Sequence, residues 1–138
     1  MSNFEIFMIK EELEKETIDV YLKEYKTKDG KPYPLKLQKL PLEEVLKLQS
    51  KNVINGKINT LEYSTDLAVA SMIEPNLRDV KLQEFYKVFG EKALFFKIVR
   101  NLFNYTKIVD AVIKLYGLNE SLEDEVEKAK NLLNEETF

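Results

Sequence analysis

Apolar positions follow two different spacings along this chain, and the change between them divides it. Over 18–40 they alternate with polar ones: Ile18, Val20 and Leu22, then Tyr33, Leu35 and Leu37. Period two marks a strand with one face buried. Between the two runs lies Lys26-Thr27-Lys28-Asp29-Gly30-Lys31-Pro32. Asp-Gly is a strong turn pair, because glycine takes the positive φ that other residues resist. The pattern predicts an antiparallel β-hairpin over 18–40 with its tip near Asp29-Gly30.

From residue 42 the spacing becomes three and four. Pro41-Leu42-Glu43-Glu44 opens a helix, with proline at the first helical position and acids in the first turn. The polar stretch 50–59, which holds Asn55-Gly56, reads as a loop. Asn59-Thr60-Leu61-Glu62 resembles a capping box and starts a helix over 60–73, with Leu67, Ala68, Ala70 and Met72 among its apolar and small residues. Pro75 stops it, since it has no N–H and drives Glu74 out of the α region. Asp79 then caps a helix over 79–89, closed by Gly90. The stretch 91–103 is apolar on most sides (Ala93, Leu94, Phe95, Phe96, Ile98, Val99, Leu102, Phe103), which suits a central helix or one paired with another chain. A last core helix over 104–116 carries Tyr105, Ile108, Val109, Val112, Ile113 and Tyr116 and ends at Gly117.

The two ends differ from this core. Residues 4–16 begin with Phe4, Ile6, Phe7 and Met8 and continue into glutamates, as a first helix packed on the core or as an arm that docks elsewhere. Ser121-Leu122-Glu123-Asp124 opens a helix over 121–134 with a narrow stripe of Leu122, Val126, Ala129 and Leu133. From Asn119 onward there are seven acids against two lysines. The expected fold is α+β and mainly α: one domain over 1–138, with five to six helices and one N-terminal hairpin. Its parts are the amphipathic segment 4–16, the hairpin 18–40, a helical core 42–117 and the acidic helix 121–134.

Composition narrows the chemistry. The chain has 138 residues, a net charge of −3, 44% hydrophobic and 33% charged residues, and no Cys, His or Trp. Without His the commonest general base and metal ligand are missing, and without Cys there is neither disulfide nor thiolate site. No phosphate loop, nucleophile elbow or paired metal-ligand motif is present, so neither catalysis nor a metal or cofactor is expected. The lysines of the hairpin (23, 26, 28, 31, 36 and 39) read as a solvated face that blunts a sheet edge. No arginine accompanies them, and the acidic balance argues against nucleic acid as an obligatory partner. No apolar run approaches the ~20 residues needed to span a bilayer, and the start carries no signal-peptide pattern. A cytoplasmic location and no membrane partner are expected. Exposed apolar side chains then point to protein partners. The candidate binding residues are Phe4, Phe7, Met8, Phe95, Phe96, Phe103, Leu122 and Val126. For Phe95, as for Ile98 and Val99, a place in the core is an equal reading.

Several stretches, in order, resemble the XkdN-like phage tail assembly chaperone family. They are Phe4-Glu5-Ile6-Phe7-Met8, the hairpin tip Lys28-Asp29-Gly30-Lys31-Pro32 followed by Leu35-Lys36-Leu37, and Glu43-Glu44. The strongest is Ala68-Val69-Ala70-Ser71-Met72-Ile73-Glu74-Pro75-Asn76-Leu77-Arg78-Asp79, then Leu82-Gln83 and Tyr86, with the close from Ile108 to Leu118. One corner departs: Phe103-Asn104-Tyr105 stands where relatives carry Pro-Gly-Glu or Gly-Glu, with Asn104 the expected cap. The resemblance implies a non-catalytic assembly protein that coats the tape measure protein, helps the tail tube assemble around it, self-associates, and is absent from the finished particle. It also implies a longer product made by frameshifting, for which the acidic last helix is a natural starting point. Two other readings are a structural tail or baseplate component and a small nucleic-acid-binding regulator acting through the lysine hairpin.

Overall fold

The structure, a computed structural model, describes residues 3–8 and 16–117. Among these the fold is α+β and mainly α, as the pattern predicts, with five α-helices. A 3-10 turn, Asn3–Phe7, precedes the sheet. The remainder of the predicted first helix and the helix over 121–134 lie outside the described residues.

Strands β1 (Thr17–Val20) and β2 (Leu35–Gln38) pair antiparallel, with Ile18 opposite Leu37 and Val20 opposite Leu35. Period two places Val20, Leu22, Leu35 and Leu37 on one buried face. At the tip, Gly30 N–H donates to Thr27 O at 2.9 Å with φ +81°, a conformation that favours glycine. A third strand, β5 (Met72–Glu74), pairs with β2, so β2 is central in the order β1-β2-β5. The helix expected over 60–73 is therefore shorter. It is α2 (Thr60–Ser71), and its last two predicted residues, Met72 and Ile73, belong to the sheet instead. Sequence spacing could not show this, because three residues before a proline satisfy either state. Glu74-Pro75 is cis.

Helix α1 (Leu42–Lys51) follows Pro41, which stands at the N-cap rather than inside the first turn, and none of its residues is fully buried. The predicted loop over 50–59 contains a small hairpin, β3 (Val53–Ile54) with β4 (Lys57–Ile58). Its two-residue turn, Asn55-Gly56, has both φ values positive (53° and 77°), the primed geometry that matches strand twist.

Asn59 caps α2 by accepting from Glu62 N–H at 3.3 Å, and Asp79 caps α3 (Val80–Phe85) by accepting from Leu82 N–H at 3.1 Å. Helix α3 stops four residues before the predicted end. Gln83 Nε2 donates to Leu77 O at 2.8 Å, and its Oε1 accepts from Gly90 N–H at 3.2 Å, so the chain folds back on this side chain instead of continuing. Phe89 is left 95% exposed. Gly90 precedes α4 (Glu91–Val99) rather than ending a long α3. The apolar run 91–103 is divided at Arg100, where φ is +79°, and α5 (Leu102–Leu115) begins beyond it. Asn101, not Asn104, caps α5, accepting from Asn104 N–H at 2.8 Å.

Helix α2 packs on α1, α4, α5 and β2, and α5 packs on β1. The core between them includes Leu37, Leu67, Ala68, Leu94, Phe95, Ile98, Ile108 and Val112. Tyr116 Oη ties three elements together. It accepts from Leu40 N–H at 2.9 Å and shares a 2.6 Å hydrogen bond with the buried Ser71 Oγ.

Candidate protein-binding groove

The break between α4 and α5 builds an apolar groove. Arg100 pays a backbone cost for its positive φ, and the surroundings hold it there. Asn104 Nδ2 donates to Val99 O at 2.8 Å and to Glu24 Oε2 at 2.9 Å. Arg100 Nε lies 3.9 Å from the same carboxylate oxygen. Tyr25 Oη donates to Ile98 O. Burial and the neighbouring Tyr86 push the Tyr25 hydroxyl up to about 12, so it remains a donor at any physiological pH. The Asn104 hydrogen bond, with Lys23 and Arg100 nearby, holds the Glu24 carboxyl below its ordinary value against the opposing effect of burial.

With the elbow pinned to the hairpin, its outer side opens toward the start of α2. The result is a groove of about 460 Å³ whose lining includes Leu61, Thr65, Phe96, Val99, Leu102 and Tyr105. Thr65 and Tyr105 share a 2.6 Å hydroxyl contact, and Thr65 Oγ1 also donates to Leu61 O, so the polar atoms of the floor are satisfied. Leu61, Phe96 and Leu102 remain outward, 66%, 51% and 78% exposed. On one side Lys92 Nζ meets Glu62 at 2.6 Å and Asp66 at 3.2 Å. Asp66 in turn accepts from Asn52 Nδ2 at 3.1 Å. These partners hold the Asp66 carboxyl below its ordinary value although burial opposes it, and Glu62 is the main cause that raises Lys92.

The predicted binding residues separate here. Phe96 lines the groove, and Phe103 is exposed on the first turn of α5, its ring 5.7 Å from Lys107 Nζ. Phe4 and Phe7 are exposed on the 3-10 turn and Met8 directly after it. Phe95 is a correction: it is 0% exposed, stacked on Phe96 at 5.5 Å and near Tyr105, and offers no surface to a partner. Successive helical residues point ~100° apart, so one of two adjacent phenylalanines turns inward when a helix has a single covered side. Leu122 and Val126 lie outside the described residues. Leu61 was missed by periodicity, and Leu102 was marked only as part of the apolar run 91–103. Each stands one or two residues after its capping asparagine, Asn59 or Asn101, a position from which an apolar side chain looks outward across the helix start. No helix among the described residues is long and apolar enough to cross a membrane.

Comparison with curated proteins finds no match. Among solved structures, the crystal structure of the protein yqbn is similar with a TM-score of 0.72 over 85% of this chain and 98% of that one, at 17% identity. That likeness supports the fold alone. Comparison with protein families matches residues 4–130, nearly the whole chain, to the phage XkdN-like tail assembly chaperones. The chain belongs to that family.

Proposed function

We propose that this protein is the tail assembly chaperone that binds the tape measure protein, seating apolar side chains of that long partner in the groove between α2 and the α4–α5 elbow. The observation that carries the reading is the pairing of a pinned elbow with outward apolar residues. Leu61, Phe96 and Leu102 stand around one groove whose backbone is tied down by Asn104, Glu24 and Tyr25. A preformed apolar groove binds without first ordering itself, which lowers the entropic cost of association. Chemistry on the partner is not required. The work is to cover apolar surface, keep it soluble and release it as the tail tube assembles. The protein acts in the host cytoplasm, is non-catalytic, and leaves the particle before maturation. Self-association through Phe4, Phe7 and Met8 on the N-terminal turn lets several copies line one partner.

The test is co-expression with the tape measure protein of the same locus, followed by pull-down on a tagged chain. The natural sequence is expected to bring the partner into the soluble fraction in several copies per partner. Phe96→Ser combined with Leu102→Ser is expected to lower co-elution at least ~10-fold, the loss of two anchors each worth about 1 kcal/mol or more. Co-elution unchanged in that variant, with the fold intact by circular dichroism, rejects the groove.

A further inference from the structure

We propose that α1 packs antiparallel against α1 of a second copy of this chain, about a two-fold axis at Leu46. The surface is distinct from the groove and from the N-terminal turn, and the contact does not depend on what the groove binds.

The first observation is an apolar stripe wider than the core covers. Leu42, Val45, Leu46 and Leu48 lie within one half of the circumference of α1, yet none of them is fully buried. Val45 and Leu48 are half-buried and pack against the core, on the side of Asn52, which is 8% exposed. Leu42 and Leu46 stand roughly 110° round the helix from that pair. They are 71% and 49% exposed. Beyond α1 the chain enters the β3–β4 hairpin, where Val53 and Ile58 are direct cross-strand partners and are also exposed. An apolar stripe that runs on past its covered part is the pattern of a helix with a second neighbour.

The second observation is charge, and it selects the occupant. Glu43 and Glu44 stand in the first turn of α1, and Lys47 and Lys51 in its second half. All four are exposed. Glu43 and Lys47 have the four-residue spacing that often pairs along a helix. Among the described residues, however, none of the four forms an ion pair. Glu43 and Lys47 also flank the Leu42–Leu46 row on the same side.

A two-fold axis at Leu46 reverses one helix against the other and keeps that flank on one side of the contact. It sets Leu46 against Leu46 and places Glu43 of each copy beside Lys47 of the other. The offset between those two charges along the helix is about 3 Å, well within the reach of both side chains. Parallel pairing would set like charges together instead. The α1 surface is therefore its own complement, as a two-fold contact requires. A helix of 10 residues makes a small interface, so the association is reversible and rises with concentration.

Sedimentation equilibrium of the full chain tests the contact. It is run on the natural sequence and on a chain carrying Phe4→Ser and Phe7→Ser, so that association through the N-terminal turn does not mask the result. In the second background a reversible monomer–dimer equilibrium is expected. Leu46→Ser is expected to weaken it at least ~10-fold, because each dimer loses two facing anchors. Glu43→Lys alone and Lys47→Glu alone are each expected to weaken it at least ~10-fold, because each sets like charges together twice. Mixed in equal amounts, these two charge variants are expected to form a heterodimer within ~3-fold of the original strength, since both ion pairs are restored with their signs exchanged. Circular dichroism checks that each variant keeps its helices. A chain that stays monomeric, dimerisation indifferent to Leu46→Ser or to both charge reversals, or a mixture no stronger than its components overturns the proposal.

Discussion

Asn104 Nδ2 donates to Glu24 Oε2 at 2.9 Å, joining the first turn of α5 to the edge of the hairpin 80 residues earlier in the chain. The same amide nitrogen donates to Val99 O, the last residue of α4. One side chain thus fixes both arms of the elbow that shapes the groove. Asn104 is 1% exposed, and Glu24 keeps 20% of its side chain accessible, while its Oε1 is buried without a hydrogen-bond partner.

A pH dependence follows. Glu24 and Asp66 both have folded-state pKa values below their ordinary ones. A depressed carboxyl contributes stability that is fully present above its unfolded pKa and is lost as pH falls through the folded value. Urea midpoints are therefore expected to drop as pH is lowered from about 5 toward 3. Glu24→Gln keeps an oxygen to accept from Asn104 but removes the titration. Its midpoint should lie below that of the natural sequence at pH 7 and fall less on acidification. Parallel curves for the two proteins would show that the carboxylate contributes nothing through its charge.

The adjacent phenylalanines of α4 give a second contrast. Phe95 lies at the centre of the core against Tyr105, and its removal leaves a cavity that close-packed neighbours fill poorly. Phe95→Ala is expected to cost about 3–5 kcal/mol. Phe96→Ala removes a half-exposed ring and is expected to change stability by less than about 1 kcal/mol. Thermal unfolding of the two single variants measures the difference directly. A comparable loss at Phe96 would mean that its ring belongs to the core and not to a binding surface.

Much of the architecture was legible because it rests on local rules. Alternation at Ile18, Val20, Leu35 and Leu37 specifies a strand pair wherever one face is buried. The Asn59 and Asp79 caps are properties of a few neighbouring residues. The misses are where a distant partner decides. Met72–Glu74 becomes strand because β2 offers an unpaired edge beside it, and α3 ends early because Gln83 finds acceptor and donor at Leu77 and Gly90. For the site, aromatic residues in the 91–103 run marked the right region, yet the division between Phe95 and Phe96 depends on which side of α4 meets the core. Leu61 and Leu102 come together only through tertiary packing of α2 against the elbow. Asn104 read as a cap because asparagine before an apolar stripe usually is one. Its real partner, Glu24, lies in another element, where spacing along the chain carries no signal.

The hydroxyl of Tyr116 gives the last prediction, because it joins three elements through one atom. Burial raises its pKa, so it stays protonated and donates as well as accepts. It accepts from Leu40 N–H, where β2 leads into α1, and it pairs with Ser71 Oγ, where α2 gives way to β5. Tyr116→Phe keeps the ring and leaves both of these groups without their partner. An unsatisfied buried polar group costs roughly 1–3 kcal/mol, more than the net gain from making the bond. Ser71→Ala alone strands only one side of the hydroxyl pair, since Tyr116 still holds Leu40. Once Tyr116 is Phe, the Ser71→Ala change removes a polar atom that has become a liability. The double variant is therefore expected to be more stable than the sum of the single losses, with a coupling of about 1 kcal/mol in a double-mutant cycle read by urea unfolding. Strict additivity would show that the two hydroxyls are satisfied independently and that Tyr116 does not couple the end of α2 to the end of α5.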